Sequence, residues 1–288
     1  MDAAVLTDQT QGKLKTLSAH LEAMGQVVVA FSGGVDSTFL LRVAVDALDS
    51  EVVAVTAVSA SLPPWELDAA RTLAHEIGVE LVEVRTFELE HPDYRANEGE
   101  RCFFCKEALF AAAEKVAKER GINTICYGAI TDDLGDHRPG MRSARERGVL
   151  APMIDAGLSK AEIRTLSSAL GLPTSDKPAT PCLSSRFPNG TPIDEEKLAR
   201  ITMCEGAIRA LGLVEFRARY HDKLVRIELG PAEEERVYAS PALRESILFA
   251  GRQAGFDFVS LDLAGYRRGS GNLQLVQIQP SKSGDDLK

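Results

Sequence analysis

The sequence predicts a doubly wound α/β fold followed by a smaller α+β domain. Apolar runs of strand length alternate with helical patterns over residues 27–170, which is typical of a parallel sheet with helices on both faces. A turn rich in glycine and serine follows the first predicted strand and opens the next helix. Five of the 13 prolines fall within residues 173–192, where the alternation stops. The 288 residues are enough for one medium and one small domain.

The larger predicted domain contains four strands and four helices. We expect strands at 27–31, 52–58, 80–84 and 124–128, and helices at 38–48, 65–77, 106–119 and 159–170. Gly78 and Gly121 end the second and third helices, at positions that favour a left-handed backbone. Ser159 and Glu162 have the spacing of a capping box, so they predict the start of the fourth helix.

The smaller predicted domain follows the proline-rich stretch. Helical patterns cover residues 194–211 and 241–253, and strand-like patterns cover 215–220, 224–229 and 256–263. The predicted boundaries are 1–175 for the α/β domain, 176–192 for a junction loop, 193–270 for the α+β domain and 271–288 for a C-terminal tail. We expect the α+β domain to serve substrate binding or oligomerisation.

Composition and charge limit the partners. The formal net charge of −9 and the pI of about 5.2 would repel nucleic acid and anionic membrane surfaces. We therefore expect neither as a partner, and a small anionic ligand would need a local basic pocket. The longest apolar runs are too short to span a bilayer, and residues 1–26 lack the apolar core of a signal peptide. A cytoplasmic protein is predicted.

A candidate phosphate-binding loop follows the first strand: Ser32-Gly33-Gly34-Val35-Asp36-Ser37. Two glycines allow a tight turn that aims backbone N–H groups at one point, and the helix N-terminus adds partial positive charge. Both serines offer hydroxyls to phosphate oxygens, whereas Asp36 fits only with Mg²⁺ between it and the phosphates. The lysine of a Walker loop is missing, which excludes the loop of kinases and GTPases. The alternative is an ordinary strand-to-helix turn.

Three of the five cysteines are candidates for chemistry. Cys102 and Cys105 form a CxxC motif beside the predicted helix start at 106, and Cys182 lies in the junction loop. Four interpretations remain open: an iron–sulfur cluster held by three thiolates, a zinc site completed by His91 or His137, a redox disulfide that leaves Cys182 without a role, and three cysteines without chemistry. Spacing alone does not decide between them. The other two cysteines fall inside predicted elements and are expected in the core: Cys126 and Cys204.

The loop resembles the SGGxDS motif of the ATP pyrophosphatases, which cleave ATP between the α and β phosphates. Three further segments follow it in order: DHRPG at 136–140, KPATPCLSSRFPNG at 177–190 and RARYH at 217–221. Together these segments resemble the LarE family, the ATP-dependent sulfur transferases of nickel-pincer cofactor synthesis. The similarity extends from about residue 14 to about residue 269.

The resemblance implies a substrate and a sulfur source. The implied substrate is a small nucleotide, pyridinium-3,5-biscarboxylic acid mononucleotide, whose carboxylates are adenylated and then converted to thiocarboxylates. In members with one cysteine, the residue at the position of Cys182 gives up its sulfur and ends as dehydroalanine. Because Cys102 and Cys105 are also present, this chain resembles a three-cysteine branch in which a 4Fe–4S cluster carries the sulfide. ATP, Mg²⁺ and that cluster are the implied cofactors, and the enzymes before and after it in the synthesis are implied partners.

Acidic residues and arginines complete the predicted site. Asp132 and Asp133 follow the fourth strand, at the sheet edge where doubly wound folds bind ligands. With Asp36 they are candidate Mg²⁺ ligands, the alternative being a solvated loop. Arg217 and Arg219 alternate on a predicted strand and so share a face, which makes them a candidate phosphate-binding pair.

Residues next to Cys182 are candidates for gripping the substrate. Ser185 and Arg186 follow it closely, and Cys182, Asp36 and Arg186 form the predicted catalytic set. Glu215 is an alternative ion-pair partner for the arginine pair. Half of a basic run is expected to be solvated surface: Arg138, Arg142, Arg145 and Arg147.

We expect the protein to be a homo-oligomer. Two other functions remain open. Enzymes that thiolate tRNA combine the same loop with a CxxC motif and a third cysteine, but a net charge of −9 argues against RNA as a substrate. A non-catalytic nucleotide-binding or iron–sulfur sensor module is hard to reconcile with a complete loop, three cysteines and an arginine pair.

Overall fold

The computed structural model describes residues 7–135 and 139–267. The predicted tail at 271–288, as well as Asp136, His137 and Arg138, lies outside them. The chain forms two compact units: the first runs to Ser184 and includes Pro192–Thr202, and the second comprises Ser185–Thr191 and the chain from Met203 onward. The predicted domain boundaries stay a prediction. None of the helices in the described ranges has the length and apolar character needed to cross a membrane.

The first unit is built on four parallel strands in the order β3 (Glu80–Arg85), β2 (Val52–Val58), β1 (Val27–Ala30) and β4 (Ile125–Tyr127). Its helices and strands, in chain order, are α1 (Asp8–Met24), β1 (Val27–Ala30), α2 (Val35–Leu48), β2 (Val52–Val58), α3 (Pro64–Ile77), β3 (Glu80–Arg85), α4 (Pro92–Ala96), α5 (Arg101–Arg120), β4 (Ile125–Tyr127), α6 (Pro139–Glu146), α7 (Pro152–Asp155) and α8 (Lys160–Ala169). All four predicted strands and all four predicted helices are present.

Side chains of the central strand alternate between two apolar layers. Val27 and Val29 of β1 pack with buried residues of α1, α2, α3 and α8. Val28 points to the opposite face and packs with residues of α5, such as Val116. Because helices cover both faces of the sheet, every residue of β1 is buried. The predicted doubly wound α/β class is confirmed.

The capping signals read from the sequence are confirmed. Gly78 and Gly121 end α3 and α5 with left-handed φ values of 84° and 70°. Ser159 accepts a hydrogen bond from the N–H of Glu162, whose carboxylate accepts one from the Ser159 N–H. Local turn chemistry therefore sets these helix ends.

One prediction about the CxxC motif was wrong. Helix α5 begins at Arg101, not near residue 106, so Cys102 and Cys105 lie within its first turns. The N–H of Phe103 already bonds the Glu100 carbonyl, at 2.8 Å. Packing of its ring against the Arg142 guanidinium, 4.2 Å from the ring centroid, supports the earlier start. That contact comes from α6, so the local sequence did not reveal it.

The second unit is a small α+β arrangement, as predicted. It contains the second half of α9 (Glu195–Ala210), followed by β5 (Phe216–His221), β6 (Leu224–Leu229), α10 (Pro231–Ala239), α11 (Pro241–Gln253) and β7 (Phe258–Leu261). Strand β6 pairs antiparallel with β5 and parallel with β7. Asp222 makes the tight turn between β5 and β6 with a left-handed φ of 55°. Five helices of the structure were not predicted from the sequence: α1, α4, α6, α7 and α10.

Candidate active site

The candidate phosphate loop, residues 32–37, joins β1 to α2 as predicted. Gly33 has a φ of +67°, and a Cβ added there would lie 3.2 Å from Cα of Ala70, so this position favours glycine for two reasons. The hydroxyls of Ser32 and Ser37 lie 3.1 Å apart, and Ser37 Oγ accepts the Ser32 N–H at 3.3 Å. The two serines therefore fix the shape of the loop, whose last three residues form the first turn of a 14-residue helix.

A third glycine brings the end of β4 against this loop. A Cβ added to Gly128 would lie only 2.9 Å from the backbone nitrogen of Ser37. Any larger residue would push the strand and the loop apart. The sequence analysis treated Gly128 only as a strand end, although a glycine directly after a buried strand can indicate a close backbone approach.

Two lysines that the sequence analysis missed contact the loop from distant parts of the chain. Lys160 Nζ lies 2.7 and 2.8 Å from the two carboxylate oxygens of Asp36. Lys177 Nζ donates to the Gly33 carbonyl at 3.0 Å and to Glu66 Oε2 at 2.8 Å. The loop has no lysine of its own, so these two residues supply the cationic groups beside it. Lys177 is the first residue of the KPATPC segment, so this motif was the sequence feature that could have identified it.

The predicted acidic ligands are arranged around the same lysine. Asp132 Oδ2 accepts the backbone N–H of Lys160 at 2.9 Å, so Asp36 and Asp132 both contact that residue. Asp133 Oδ2 instead accepts the N–H of Ile130, within its own turn. Across residues 7–135 and 139–267, no three His, Cys, Asp or Glu side chains form a group that could hold a metal ion. The assignment of Mg²⁺ to Asp36, Asp132 and Asp133 stays a prediction.

The three candidate cysteines belong to one part of the first unit. Cys102 is exposed, whereas Cys105 and Cys182 are half-buried. Burial raises the pKa of the Cys105 thiol to about 12, and Cys182, Glu88 and Cys102 raise it further by charge repulsion. Within the described residues, however, the three side chains do not form a group that could hold a metal ion. The assignment of one shared cluster to Cys102, Cys105 and Cys182 stays a prediction.

The other cysteines and the candidate zinc ligands have different surroundings. Cys126 and Cys204 are fully buried, as predicted, and burial raises the pKa of each thiol to about 12. His91 caps α4, since its Nδ1 accepts the N–H of Asp93, and its ring stacks on Phe104. These contacts give His91 a structural role.

Two of the predicted substrate arginines form buried ion pairs in the second unit. Arg186 is fully buried, and its guanidinium donates to both carboxylate oxygens of Glu205, at 2.8 and 3.0 Å. Its Nη1 also donates to Ser185 Oγ at 3.0 Å. Arg219 donates to Glu228 at 2.8 Å and to the Ser185 carbonyl at 2.9 Å. Ser185, Arg186 and Arg219 thus form one hydrogen-bonded group.

Arg217 is buried near Arg186 and Arg219, which are themselves paired with Glu205 and Glu228. It is 3% exposed, and its guanidinium carbon lies 4.7 Å from the ring centroid of Tyr266. Burial lowers the pKa of this guanidinium, and repulsion from Arg186 and Arg219 lowers it further. An anion placed beside these arginines would relieve the repulsion. The alternative partner Glu215 is not the one that pairs with Arg219.

Two arginines of the predicted basic run, Arg142 and Arg147, pair with glutamates. Arg142 pairs with Glu100 at 2.6 Å. Arg147 pairs with Glu107 at 2.8 Å and with Glu114 at 2.7 Å. These contacts hold α6 against α5, so they agree with the surface role considered for the run.

The strand, the SGGVDS loop and the helix after it define the class of protein, a PP-loop ATP pyrophosphatase fold. A family model described as NAD synthase matches residues 9–132. An uncharacterized protein of Synechocystis sp. is 42% identical over 93% of this chain and 99% of its own length. The pyridinium-3,5-bisthiocarboxylic acid mononucleotide synthase of Lactiplantibacillus plantarum is 32% identical over 93% of this chain and 96% of its own length.

A more partial similarity concerns RNA modification. A probable tRNA sulfurtransferase of Methanothermobacter thermautotrophicus is 30% identical over 51% of this chain, but only 40% of that protein is covered. The full-length relationship to the synthase determines the family. The chain belongs to the LarE family.

Proposed function

We propose that the protein is an ATP-dependent sulfur transferase that converts carboxylates of pyridinium-3,5-biscarboxylic acid mononucleotide to thiocarboxylates for the nickel-pincer nucleotide cofactor. The observation that carries this proposal is the 32% identity to the L. plantarum synthase over 93% of the chain. The geometry of the loop and its two lysines supports the ATP-dependent step. The implied partner enzymes, the cytoplasmic location and a homo-oligomeric state stay predictions.

The first step adenylates the substrate. A carboxylate oxygen attacks the α phosphorus of ATP, the bond from that phosphorus to the bridging oxygen breaks, and pyrophosphate leaves. N–H groups and hydroxyls of the loop, residues 32–37, bind the departing pyrophosphate. Asp36, which pairs with Lys160 in this structure, would hold the Mg²⁺ that accompanies ATP, and the Lys160 ammonium would then be available to a phosphate oxygen. Lys177 neutralises charge on the other side of the loop.

The second step replaces AMP by sulfur. A sulfide attacks the carbonyl carbon of the acyl adenylate, the bond to AMP breaks, and a thiocarboxylate remains. Cys102, Cys105 and Cys182 would hold a 4Fe–4S cluster, which supplies an open iron for an exogenous sulfide. Three thiolates are a suitable donor set for such a cluster, since thiolates favour iron–sulfur clusters over Mg²⁺. As the described side chains stand they do not form a metal-holding group, so binding of the cluster would have to bring the three sulfurs together. The alternative is that Cys182 itself is the sacrificial sulfur donor.

Residues of the second unit bind the substrate in this proposal. Its phosphate and carboxylates need fixed cations in a chain of net charge −9. Arg217 and Arg219 bind the phosphate, and Ser185 supplies a hydroxyl. The guanidinium of Arg186 is paired with Glu205. Its role in this proposal is indirect: it donates a hydrogen bond to Ser185 Oγ and so orients that hydroxyl toward the substrate.

The products of ATP distinguish this proposal from other ATP-using enzymes. With the dicarboxylated pyridinium nucleotide and Mg²⁺ present, we expect AMP and pyrophosphate, separated by anion-exchange chromatography. Formation of ADP and phosphate would contradict the adenylation step. A transfer RNA substrate in place of the nucleotide is the control and should give no AMP.

Cysteine variants test the sulfur source. Single replacements Cys102→Ala, Cys105→Ala and Cys182→Ala should each remove both iron and turnover after anaerobic reconstitution, because two thiolates retain a cluster poorly. Cys126→Ala is the matched control, since that thiol is buried in the core. If the first two variants stay active and the wild-type protein loses the mass of one H₂S at Cys182, then the sacrificial mechanism is correct.

A further inference from the structure

Ser184 anchors the segment that follows Cys182 through hydrogen bonds to Tyr94 and Arg101. The hydroxyls of Ser184 and Tyr94 lie 2.7 Å apart, and Nη1 of Arg101 donates to the Ser184 carbonyl at 2.7 Å. Ser184 and Tyr94 are both fully buried. Two hydrogen bonds, one of them from a charged donor, therefore fix the backbone and side chain two residues after the cysteine.

A third contact holds the residue between them. The N–H of Leu183 donates to the carbonyl of Ser61 at 2.9 Å. The turn containing Ser61 is itself anchored, because the hydroxyls of Ser59 and Ser61 donate to Glu88 Oε1 at 2.5 and 3.1 Å. Glu88 is only 6% exposed. The anchor of the loop is thus a buried polar network of the first unit.

Arg101 connects this anchor to the other two cysteines. It is the first residue of α5 and directly precedes Cys102. Its Nη1 also donates to Asn97 Oδ1 at 2.6 Å, and Asn97 ends α4 with a left-handed φ of 57°. One guanidinium therefore joins the end of α4, the start of α5 and the loop of Cys182. Residues 178–182 themselves have no regular structure and are at least partly exposed, so the position of Cys182 depends on such contacts.

We propose that Arg101 and Tyr94 are positioning residues that hold Cys182 within reach of Cys102 and Cys105 through their hydrogen bonds to Ser184. The use of the three cysteines rests on the proposed function, whereas their spacing in the metal-free protein does not. A cluster shared by the three cysteines needs this spacing, whereas a sacrificial Cys182 does not. Measuring the spacing directly separates failure of this inference from failure of the proposed function.

The test is thiol cross-linking of the reduced, metal-free, full-length chain with dibromobimane, read by mass spectrometry of the joined peptides. The wild type should join Cys182 to Cys102 or Cys105. Arg101→Gln should lower the rate of joining about tenfold or more, which is the equilibrium effect of losing one charge-assisted hydrogen bond. Tyr94→Phe should lower it by a smaller factor, because it removes a neutral hydrogen bond.

Matched variants separate positioning from a general loss of structure. Arg120→Gln removes an exposed arginine from the other end of α5, and Tyr238→Phe removes an exposed hydroxyl, so both should cross-link like the wild type. Arg101→Lys should restore part of the rate, since an ammonium can still reach one carbonyl. ATP affinity, measured by calorimetry, should be unchanged in every variant.

Two results would overturn the inference. One is a wild-type chain whose three thiols do not cross-link, and the other is Arg101→Gln or Tyr94→Phe cross-linking at the wild-type rate with normal ATP affinity. If Arg101→Gln fails to fold, Arg101→Lys and Tyr94→Phe decide. A protein that shows the expected cross-linking pattern but never binds iron would retain the positioning role and lose the cluster.

Discussion

Replacing Asp36 separates a chemical role from a structural one. Its carboxylate bonds both oxygens to Lys160 Nζ, at 2.7 and 2.8 Å, and the two side chains are 27% and 33% exposed. Partly exposed ion pairs contribute little to folding, typically about 1 kcal/mol or less. Asp36→Asn keeps the shape and removes the charge, so it should lower the free energy of unfolding by no more than about 1 kcal/mol.

The same change should have a much larger effect on catalysis. If Asp36 holds Mg²⁺ against the phosphates, its loss removes about 3 kcal/mol or more of transition-state stabilisation, which corresponds to about 150-fold in rate. The effect on rate therefore exceeds the effect on folding by a wide margin. A large loss of rate with a small loss of folding stability would identify Asp36 as a residue that acts in catalysis.

The assay is release of AMP and pyrophosphate across a Mg²⁺ titration, with urea unfolding measured on the same samples. Asp46→Asn is the control, because it removes a carboxylate from the same helix that also pairs with a basic side chain, Arg42. We expect the control to keep wild-type activity. Asp36→Asn with wild-type turnover at low Mg²⁺ would refute the reasoning, and so would a loss of activity matched by a loss of several kcal/mol in stability.

Three further predictions concern the arginines of the second unit and the start of α8. Arg217→Lys should weaken substrate binding by about 1–3 kcal/mol, because the bidentate fork is lost, and leave ATP binding unchanged; calorimetry with each ligand checks both. Glu205→Gln should destabilise the protein by about 3–5 kcal/mol in urea unfolding, since it leaves the buried Arg186 charge without its carboxylate. Glu162→Gln should lower the free energy of unfolding by about 1–2 kcal/mol at pH 7. Burial raises the pKa of the Glu162 carboxyl, but hydrogen bonds from Lys13 and Ser159 outweigh burial and lower this pKa below its usual value. Because the folded state holds this carboxyl at a lowered pKa, the contribution is present at neutral pH and lost as pH falls through the acidic range, so wild type and variant should converge in acid.

The local chemistry of the sequence was enough to predict the class of fold and the main motifs. Strand periodicity, the glycines that end α3 and α5, and the Ser159–Glu162 pair depend on neighbouring residues only, and the structure confirms them. The SGGVDS loop is equally local, since a strand end, two glycines and a helix start lie within a few residues. The order of motifs was also sufficient to suggest the family.

Tertiary structure alone decided which side chains meet. Lys160 reaches Asp36 across 124 positions of sequence, and Arg101 reaches Ser184 across 83. Arg186 is likewise paired with Glu205, a partner 19 positions away that the sequence did not indicate, and its role toward the substrate stays a prediction. Periodicity reports how a segment packs, but the partner of a buried charge depends on the path of the whole chain. The physical reason is that a charge removed from water must be compensated by whichever opposite group the fold brings near.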